Sequence, residues 1–182
     1  LLVVVGHAIN YLNPENTTAT LTLIRNLIYS FHMPLFFFLS GFLLHYSTIP
    51  REFIQKKIKK LVIPYFVSYI LLSLFLFISN LLIKIPDSFS GFHYFLGMLY
   101  GTILGFVQQT HADILNPLWF LPALFCALLI GYFLLRIFDK DPLLGSLSLL
   151  VTICIGYVCG LYSINLPWGF DIAMVAQAFV IP

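Results

Sequence analysis

Charged side chains are scarce in this chain. Asp, Glu, Lys and Arg make up 9% of its 182 residues, whereas soluble domains carry about 25%. Hydrophobic residues make up 60%, Phe alone occurs 19 times, and the mean hydropathy is +0.99. This composition excludes an ordinary soluble domain and predicts an integral membrane protein. The net charge is only +2, and no stretch of the sequence is typical of a nucleic-acid-binding surface, so no nucleic-acid partner is expected.

Paired cysteines are also lacking. The three cysteines, Cys126, Cys154 and Cys159, all lie inside apolar runs. Their odd number and their spacing argue against a disulfide framework or a zinc site. We interpret them as small apolar packing residues and expect no bound metal.

Long apolar runs dominate what the sequence does contain. A membrane-spanning helix needs about 20 mostly apolar residues. Six runs fit full or partial spans and predict an all-α, polytopic transmembrane bundle: Leu1–Leu12, Leu23–Tyr46, Leu61–Ile83, Leu118–Leu135, Leu143–Ser163 and Phe170–Pro182. Because the chain starts and ends inside such runs, we expect residues 1–182 to form one membrane-embedded domain, truncated at both ends.

The segment Tyr94–Val107 is short for a span. Gly97, Gly101 and Gly105 recur every four residues and so share one helical face, which permits a neighbouring helix to approach closely. Two interpretations stay open. We favour a short helix packed against the bundle, and the alternative is a short span.

The segment Arg51–Lys60, called here the basic segment, carries five basic residues and one acidic residue. Short loops rich in Lys and Arg lie on the cytoplasmic side of membranes. The helix before the basic segment is therefore predicted to run inward and the helix after it outward. If Tyr94–Val107 does not cross, the helix from Leu118 runs inward and ends at Arg136, on the cytoplasmic side, as the same rule requires.

Two histidines within apolar runs are candidates for chemistry. An ionisable group inside a membrane is energetically costly, so its presence there indicates a function. His7 shares a helical face with Asn10 and Tyr11, at i+3 and i+4. A histidine can act as a general base near neutral pH. The alternative is a neutral histidine hydrogen-bonded inside the bundle, and the spacing alone does not decide.

The second histidine, His32, shares a helical face with Ser40. Pro34 has no N–H to donate to the Ser30 carbonyl, so a kink is predicted there. Gly41 then permits close backbone approach. These features fit a kinked, cavity-lining helix, but Pro34 and Gly41 fit equally well as packing residues, with Ser40 bonded to its own helix.

Other polar groups lie near the predicted membrane surfaces. Lys56, Lys57, Lys59 and Lys60 of the basic segment fit a topology signal that contacts anionic lipid headgroups, which the charge alone favours. The alternative is a binding site for a phosphate-rich cytosolic ligand. Trp119 and Trp168 begin apolar runs, as interfacial anchors do. Asp171 lies just inside the last run, either at the interface or facing a cavity.

Five stretches together resemble the acyltransferase family 3 membrane proteins, most nearly the fucose 4-O-acetylase-like branch. Each stretch is short and weak alone, but they follow the family's order from one end of the chain to the other. The stretches are Val3–His7, Phe31–Phe42, Leu61–Tyr65 after the basic segment, Leu118–Phe125 and Leu166–Asp171.

The resemblance implies a membrane O-acetyltransferase with a core of about ten spans. Its co-substrate would be cytosolic acetyl-CoA, and its acceptor a hydroxyl of a sugar or cell-envelope glycan. It implies that His7 is the catalytic residue and strengthens the assignment of the four lysines as contacts of the CoA phosphates. Two regions are candidate acceptor sites, the predicted external loop around Tyr94–Gln109 and the region around Trp119. A multi-pass protein of a bacterial plasma (inner) membrane is expected.

A transporter or flippase without covalent chemistry is the competing interpretation. Such a protein would use the same kinked helices and intramembrane histidines to pass a solute or protons across the membrane. Inverted internal repeats are typical of transporters, and none is evident in this sequence.

Overall fold

The computed structural model of the chain describes residues 19–44, 49–83, 120–164 and 166–181. Within these ranges all regular secondary structure is helical. A π-helical turn, Ile58–Val62, joins the second helix to the third, and a 3-10 turn, Pro167–Gly169, precedes the sixth. The helices are α1 (Ala19–Phe42), α2 (Pro50–Lys57), α3 (Ile63–Ile83), α4 (Phe120–Lys140), α5 (Pro142–Leu161), α6 (Phe170–Val175) and α7 (Gln177–Val180).

Three of the described helices are long and apolar enough to cross a membrane. They comprise Thr20–Phe42, Phe120–Lys140 and Pro142–Leu161. A rise of about 1.5 Å per residue makes each one roughly as long as the hydrocarbon core is thick. The predicted all-α membrane architecture is confirmed for the described residues, and the six spans of this chain and the core of about ten stay predictions. Helix α3 coincides with an uncharged run and remains a predicted span, and the predicted helices Leu1–Leu12 and Tyr94–Val107 lie outside the described residues.

The exposed surface of the described helices is apolar. Leu27 on α1 is 60% exposed and Leu150 on α5 is 61% exposed, and many other large apolar side chains are similar. A protein in water rarely exposes such large continuous apolar surfaces. In a bilayer the same side chains contact hydrocarbon, so this surface fits a membrane protein.

Helices α4 and α5 form an antiparallel hairpin with Asp141 between them. The Asp141 carboxylate accepts hydrogen bonds from the backbone N–H groups of Leu143 (2.9 Å) and Leu144 (3.2 Å). Pro142 occupies the first turn, where its missing N–H is not needed. The Asp–Pro pair therefore ends one helix and starts the next within a single residue.

The buried core surrounds α4. It gathers side chains from α1, α2, α4, α6 and α7, so four other helices pack on this one span. Its buried members include Phe37, Phe53, Leu124, Cys126, Ala127, Leu128, Tyr132, Ala173 and Val180. Cys126 and Cys159 are buried and unpaired, as expected of packing residues, whereas Cys154 is exposed on α5.

The relative directions of the helices follow from a few contacts with α4. Phe37 contacts Phe120, and the Leu44 side chain reaches Gly131, so α1 runs in the same direction as α4. Phe53, which precedes α3, stacks on Tyr132. Tyr65 and Phe66, in the first turn of α3, contact Trp168, whose ring lies against Phe125, nearer the start of α4. Helix α3 therefore runs opposite to α4. These directions agree with the topology that the loop charges predict.

The basic segment runs alongside α4 and not beyond its end. Phe53 stacks on Tyr132, and Tyr65 lies beside Trp168, whose ring contacts Phe125. The residues between Phe53 and Tyr65 therefore lie beside α4, with Phe53 at the level of Tyr132. Arg136 is one helical turn further along.

The last predicted span is not one continuous helix. Helices α6 and α7 have only six and four residues, and they are separated by Ala176. The backbone becomes extended at Ile181. The described part of the run from Phe170 thus forms two short helices, with no Pro or Gly at the break, and its role as the start of a span stays a prediction.

Candidate functional site

An aromatic stack joins the basic segment to α4. The rings of Phe53 and Tyr132 are stacked, with centroids 4.2 Å apart and planes 17° apart. The Lys57 ammonium lies 5.4 Å from the Phe53 ring centroid, and the Arg136 guanidinium lies 5.0 Å from that of Tyr132. Both distances are typical of cation–π contacts. The stack therefore places cationic groups from two helices against one aromatic pair.

The four candidate lysines differ in exposure. Lys56, Lys59 and Lys60 are exposed, whereas Lys57 is half-buried. Burial lowers the pKa of the Lys57 ammonium below its ordinary value, and the nearby charge of Lys60 lowers that pKa further. The three exposed ammonium groups and Lys57 thus form one continuous cationic surface on the segment that precedes α3.

Part of this cationic surface is a π-helical turn, Ile58–Val62, which leads directly into α3. The backbone N–H of Ile63 donates to the carbonyl of Ile58, five residues earlier. Such turns inside helices occur frequently at functional sites, because the added residue rotates the preceding part of the helix relative to the next part. Here the turn contains Lys59 and Lys60 and joins Lys56 and Lys57 to the uncharged span.

Two tyrosines on α3 are fully buried. Tyr65 and Tyr69 are both 0% exposed, and their ring centroids are 6.0 Å apart. Neither hydroxyl has a hydrogen-bond partner among the residues that the structure describes. A buried polar group without a partner costs about 1–3 kcal/mol. Neither tyrosine was among the candidates from the sequence, because a tyrosine in an apolar run gives no sign of its hydroxyl's surroundings.

The turn before α6 has an unusual backbone. Trp168 (φ 62°) and Gly169 (φ 63°) both adopt left-handed conformations, which a bulky residue such as tryptophan seldom does. The Asp171 carboxylate accepts a 3.3 Å hydrogen bond from the backbone N–H of Leu166. The two positions expected for Asp171, at the interface or facing a cavity, stay predictions.

An apolar cavity of about 410 Å³ lies between this turn and α4. Because its lining offers essentially no strong hydrogen-bonding group, water gains little by entering it. Trp168 forms one wall and separates the cavity from Tyr65. The cavity is lined by Phe125, Cys126, Leu129, Leu166, Pro167, Trp168 and Phe170.

His32 is half-buried on α1 and bonded to its own helix. Its Nδ1 lies 2.7 Å from the carbonyl oxygen of Ile28. Since a carbonyl oxygen only accepts, Nδ1 must carry a proton, and in the neutral ring the lone pair is on Nε2. Helix α1 continues through Pro34, and the kink predicted there stays a prediction.

The close approach expected at Gly41 is present. A Cβ on Gly41 would overlap the backbone of Val180 in α7, so α1 and α7 meet backbone to backbone there. Ser40, the preceding residue, is half-buried. The structure therefore supports the packing reading of Gly41, while a cavity-lining role for Ser40 stays a prediction.

Gln177 is a buried polar residue that was not among the candidates from the sequence. It is 0% exposed, and its Nε2 donates to the carbonyl oxygens of Ala127 (3.0 Å) and Ala173 (2.9 Å). Its Oε1 has no partner among the described residues. A single amide in the apolar run from Phe170 was the available signal, because polar side chains in such runs commonly bond across helices.

The remaining predicted site residues, His7, Asn10, Tyr11 and Trp119, lie outside the described residues. Their proposed roles stay predictions. The acyltransferase 3 family model, described as an acyltransferase domain, matches residues 1–180 of the chain. The chain belongs to the acyltransferase 3 family. No curated protein and no solved structure matches it.

Membership in the acyltransferase 3 family shows that the chain is a membrane acyltransferase, as the sequence motifs predicted. Nothing found supports the transporter or flippase alternative. Within this acyltransferase, the described residues bring together the basic segment, the aromatic stack, the buried tyrosines and the Trp168 turn around α4. They do not bring His32 or Ser40 into that group.

Proposed function

We propose that this acyltransferase moves an acetyl group from acetyl-CoA to a hydroxyl of a sugar or cell-envelope glycan, within a bacterial plasma membrane. The observation that carries the proposal is the cationic surface of the basic segment in a chain whose family transfers acyl groups. An acyl donor with several phosphates needs such a surface, and an uncharged donor does not.

The donor is proposed to bind through its phosphates. Lys56, Lys59 and Lys60 are exposed, so their ammonium groups are accessible to an anionic ligand. Lys57 is held against Phe53, which limits its motion. Charge-assisted hydrogen bonds from ammonium to phosphate are stronger than neutral ones. The four lysines thus suit a donor that approaches from the cytoplasm.

His7 is proposed as the general base. A sugar hydroxyl is a poor nucleophile until a base removes its proton. The hydroxyl oxygen then forms a bond to the acetyl carbonyl carbon, the carbon–sulfur bond of the thioester breaks, and the departing thiolate takes the proton to give CoA–SH. An acetylated imidazole on the same residue is the two-step form of this reaction.

The experiment follows transfer of labelled acetyl from acetyl-CoA to glycan in membranes that contain the full-length protein. We expect labelled glycan with the native protein and almost none with His7→Ala at equal protein level. If label transfers equally well in both, His7 is not the base, and His32 becomes the next residue to replace. If the native protein transfers no label to any of a broad panel of envelope glycans, the proposed function is wrong.

The lysines are tested in the same assay. Each basic residue near a membrane surface contributes about 1 kcal/mol to binding an anionic group. Lys59→Gln with Lys60→Gln should therefore raise the KM for acetyl-CoA roughly thirtyfold and leave kcat nearly unchanged. Lys140→Gln, which removes an exposed charge at the end of α4, is the matched control. An equal KM in both variants would contradict the assignment.

A further inference from the structure

Tyr65 and Tyr69 are buried on the helix that follows the proposed donor site. Both side chains are 0% exposed, and neither hydroxyl has a partner among the described residues. In a membrane-embedded helix water does not supply the missing partner. A phenylalanine at either position would fill nearly the same volume without that loss. The two hydroxyls therefore need a further reason, and a bound ligand would supply it.

The two hydroxyls belong to one face of α3. Residues four apart on a helix are neighbours, about 6 Å apart along the axis, and the ring centroids are 6.0 Å apart. Trp168, held in its left-handed conformation, lies against Tyr65, with ring centroids 6.3 Å apart. The pair thus offers two O–H donors at successive turns, with an aromatic side chain fixed beside the first.

The position of the pair relative to the lysines indicates which ligand atom it meets. Tyr65 follows Lys60 by five residues and Tyr69 follows it by nine, so their backbones lie about 7 and 13 Å further along the helix axis. A donor whose phosphates contact the lysines carries its thioester at the opposite end of the molecule. If the donor lies along α3 in the direction of the chain, that end reaches the level of the two hydroxyls.

We propose that Tyr65 and Tyr69 donate hydrogen bonds to the thioester carbonyl oxygen of the bound acyl donor. This inference rests on the proposed function and adds the groups that stabilise the oxyanion. When the acceptor oxygen bonds to the carbonyl carbon, negative charge develops on that carbonyl oxygen, and the two O–H groups stabilise it. The carbon–sulfur bond then breaks and the carbonyl re-forms. The tyrosines keep their protons, and the proton of the acceptor hydroxyl reaches the CoA thiolate.

The test replaces the hydroxyls alone, in the full-length protein, as Tyr65→Phe, Tyr69→Phe and the double variant. Tyr157→Phe is the control, because Tyr157 is 61% exposed on α5. Losing one oxyanion donor lowers kcat by roughly 100-fold or more. We expect at least that loss in the double variant, with a nearly unchanged KM for acetyl-CoA, unchanged activity in the control, and melting temperatures equal to or above the native value. A double variant with native kcat, or one that loses activity and folding together, would overturn the proposal.

A spectroscopic measurement makes the test independent of turnover. The carbonyl stretch of acetyl-CoA labelled with carbon-13 at the carbonyl is recorded on the bound donor. We expect a lower wavenumber in the native protein than in the double variant, because hydrogen bonds polarise the carbonyl. Equal wavenumbers in the two proteins would show that the tyrosines do not contact the donor. In the turnover assay, a double variant in which only the KM for the acceptor rises would show the same. A native protein that transfers no acetyl at all refutes the proposed function itself, which is a different result.

Discussion

Replacing Gly41 by alanine tests the contact between α1 and α7. A Cβ at Gly41 would lie 2.5 Å from Cα and 2.7 Å from the carbonyl carbon of Val180, whereas real Cβ atoms essentially never approach below 3.0 Å. The obstructing atoms are backbone, so no side-chain rotation relieves the overlap. Overpacking of this kind destabilises by up to about 3 kcal/mol.

The same substitution also has a favourable effect, which must be subtracted. Alanine is better than glycine in a helix by about 1 kcal/mol, so Gly41→Ala should destabilise the fold by a net amount of about 2 kcal/mol. For a chain of this size, 1 kcal/mol corresponds to roughly 2–4 °C in melting temperature. We therefore expect the melting temperature to fall by about 4–8 °C in detergent.

Gly160→Ala is the matched control. Gly160 lies near the end of α5, and nothing is within 4 Å of the position its Cβ would take. Only the higher helix propensity of alanine affects stability there, so the melting temperature should stay the same or rise by up to about 4 °C. If Gly41→Ala behaves like Gly160→Ala, α7 does not pack against α1 as described, and the reasoning from the glycine contacts is refuted.

Three further predictions concern single side chains. Asp141→Ala removes the carboxylate that caps α5 and should lower stability by about 1 kcal/mol, seen as a lower melting temperature; no change would mean that Pro142 alone starts the helix. Gln177→Glu places a carboxylate against the carbonyls of Ala127 and Ala173 and should destabilise by about 3 kcal/mol or more, whereas Gln177→Leu should stay within about 1 kcal/mol of native; equal melting temperatures would contradict the described bonds. Because the folded state lowers the pKa of Lys57 below its ordinary value of 10.5, the unfolded chain binds more protons just below that pH. Stability should therefore rise with pH in that range, and Lys57→Gln should flatten the rise measured by thermal unfolding.

Composition and apolar runs were sufficient to predict the helical, membrane-embedded class. Helices α4 and α5 begin within two residues of the apolar runs that predicted them, although α4 continues to Lys140, five residues past its run. The break at Ala176 could not be predicted, because no Pro or Gly lies at that point of the run. After the break, Val180 packs against Gly41 and Gly131, and contacts between residues so far apart in sequence leave no local signal.

The candidate site was predicted only in part. The basic segment was identified from charge alone, but its aromatic stack with Tyr132 depends on a contact between residues far apart in sequence. The same holds for Tyr65, Tyr69 and Gln177, whose burial is a property of the assembled helices. His7 stays a prediction that rests on the family motif.

The position of the basic segment beside α4 has an electrical consequence. If Arg136 lies at the cytoplasmic surface, an anion bound to Lys59 or Lys60 has already entered part of the transmembrane voltage. One charge crossing 100 mV changes energy by about 2.3 kcal/mol, so two negative charges crossing about a quarter of it change by roughly 1 kcal/mol. With the cytoplasm negative, that change favours entry. Donor affinity in energised vesicles should therefore exceed that in depolarised ones, and the membrane potential would itself help to load the enzyme.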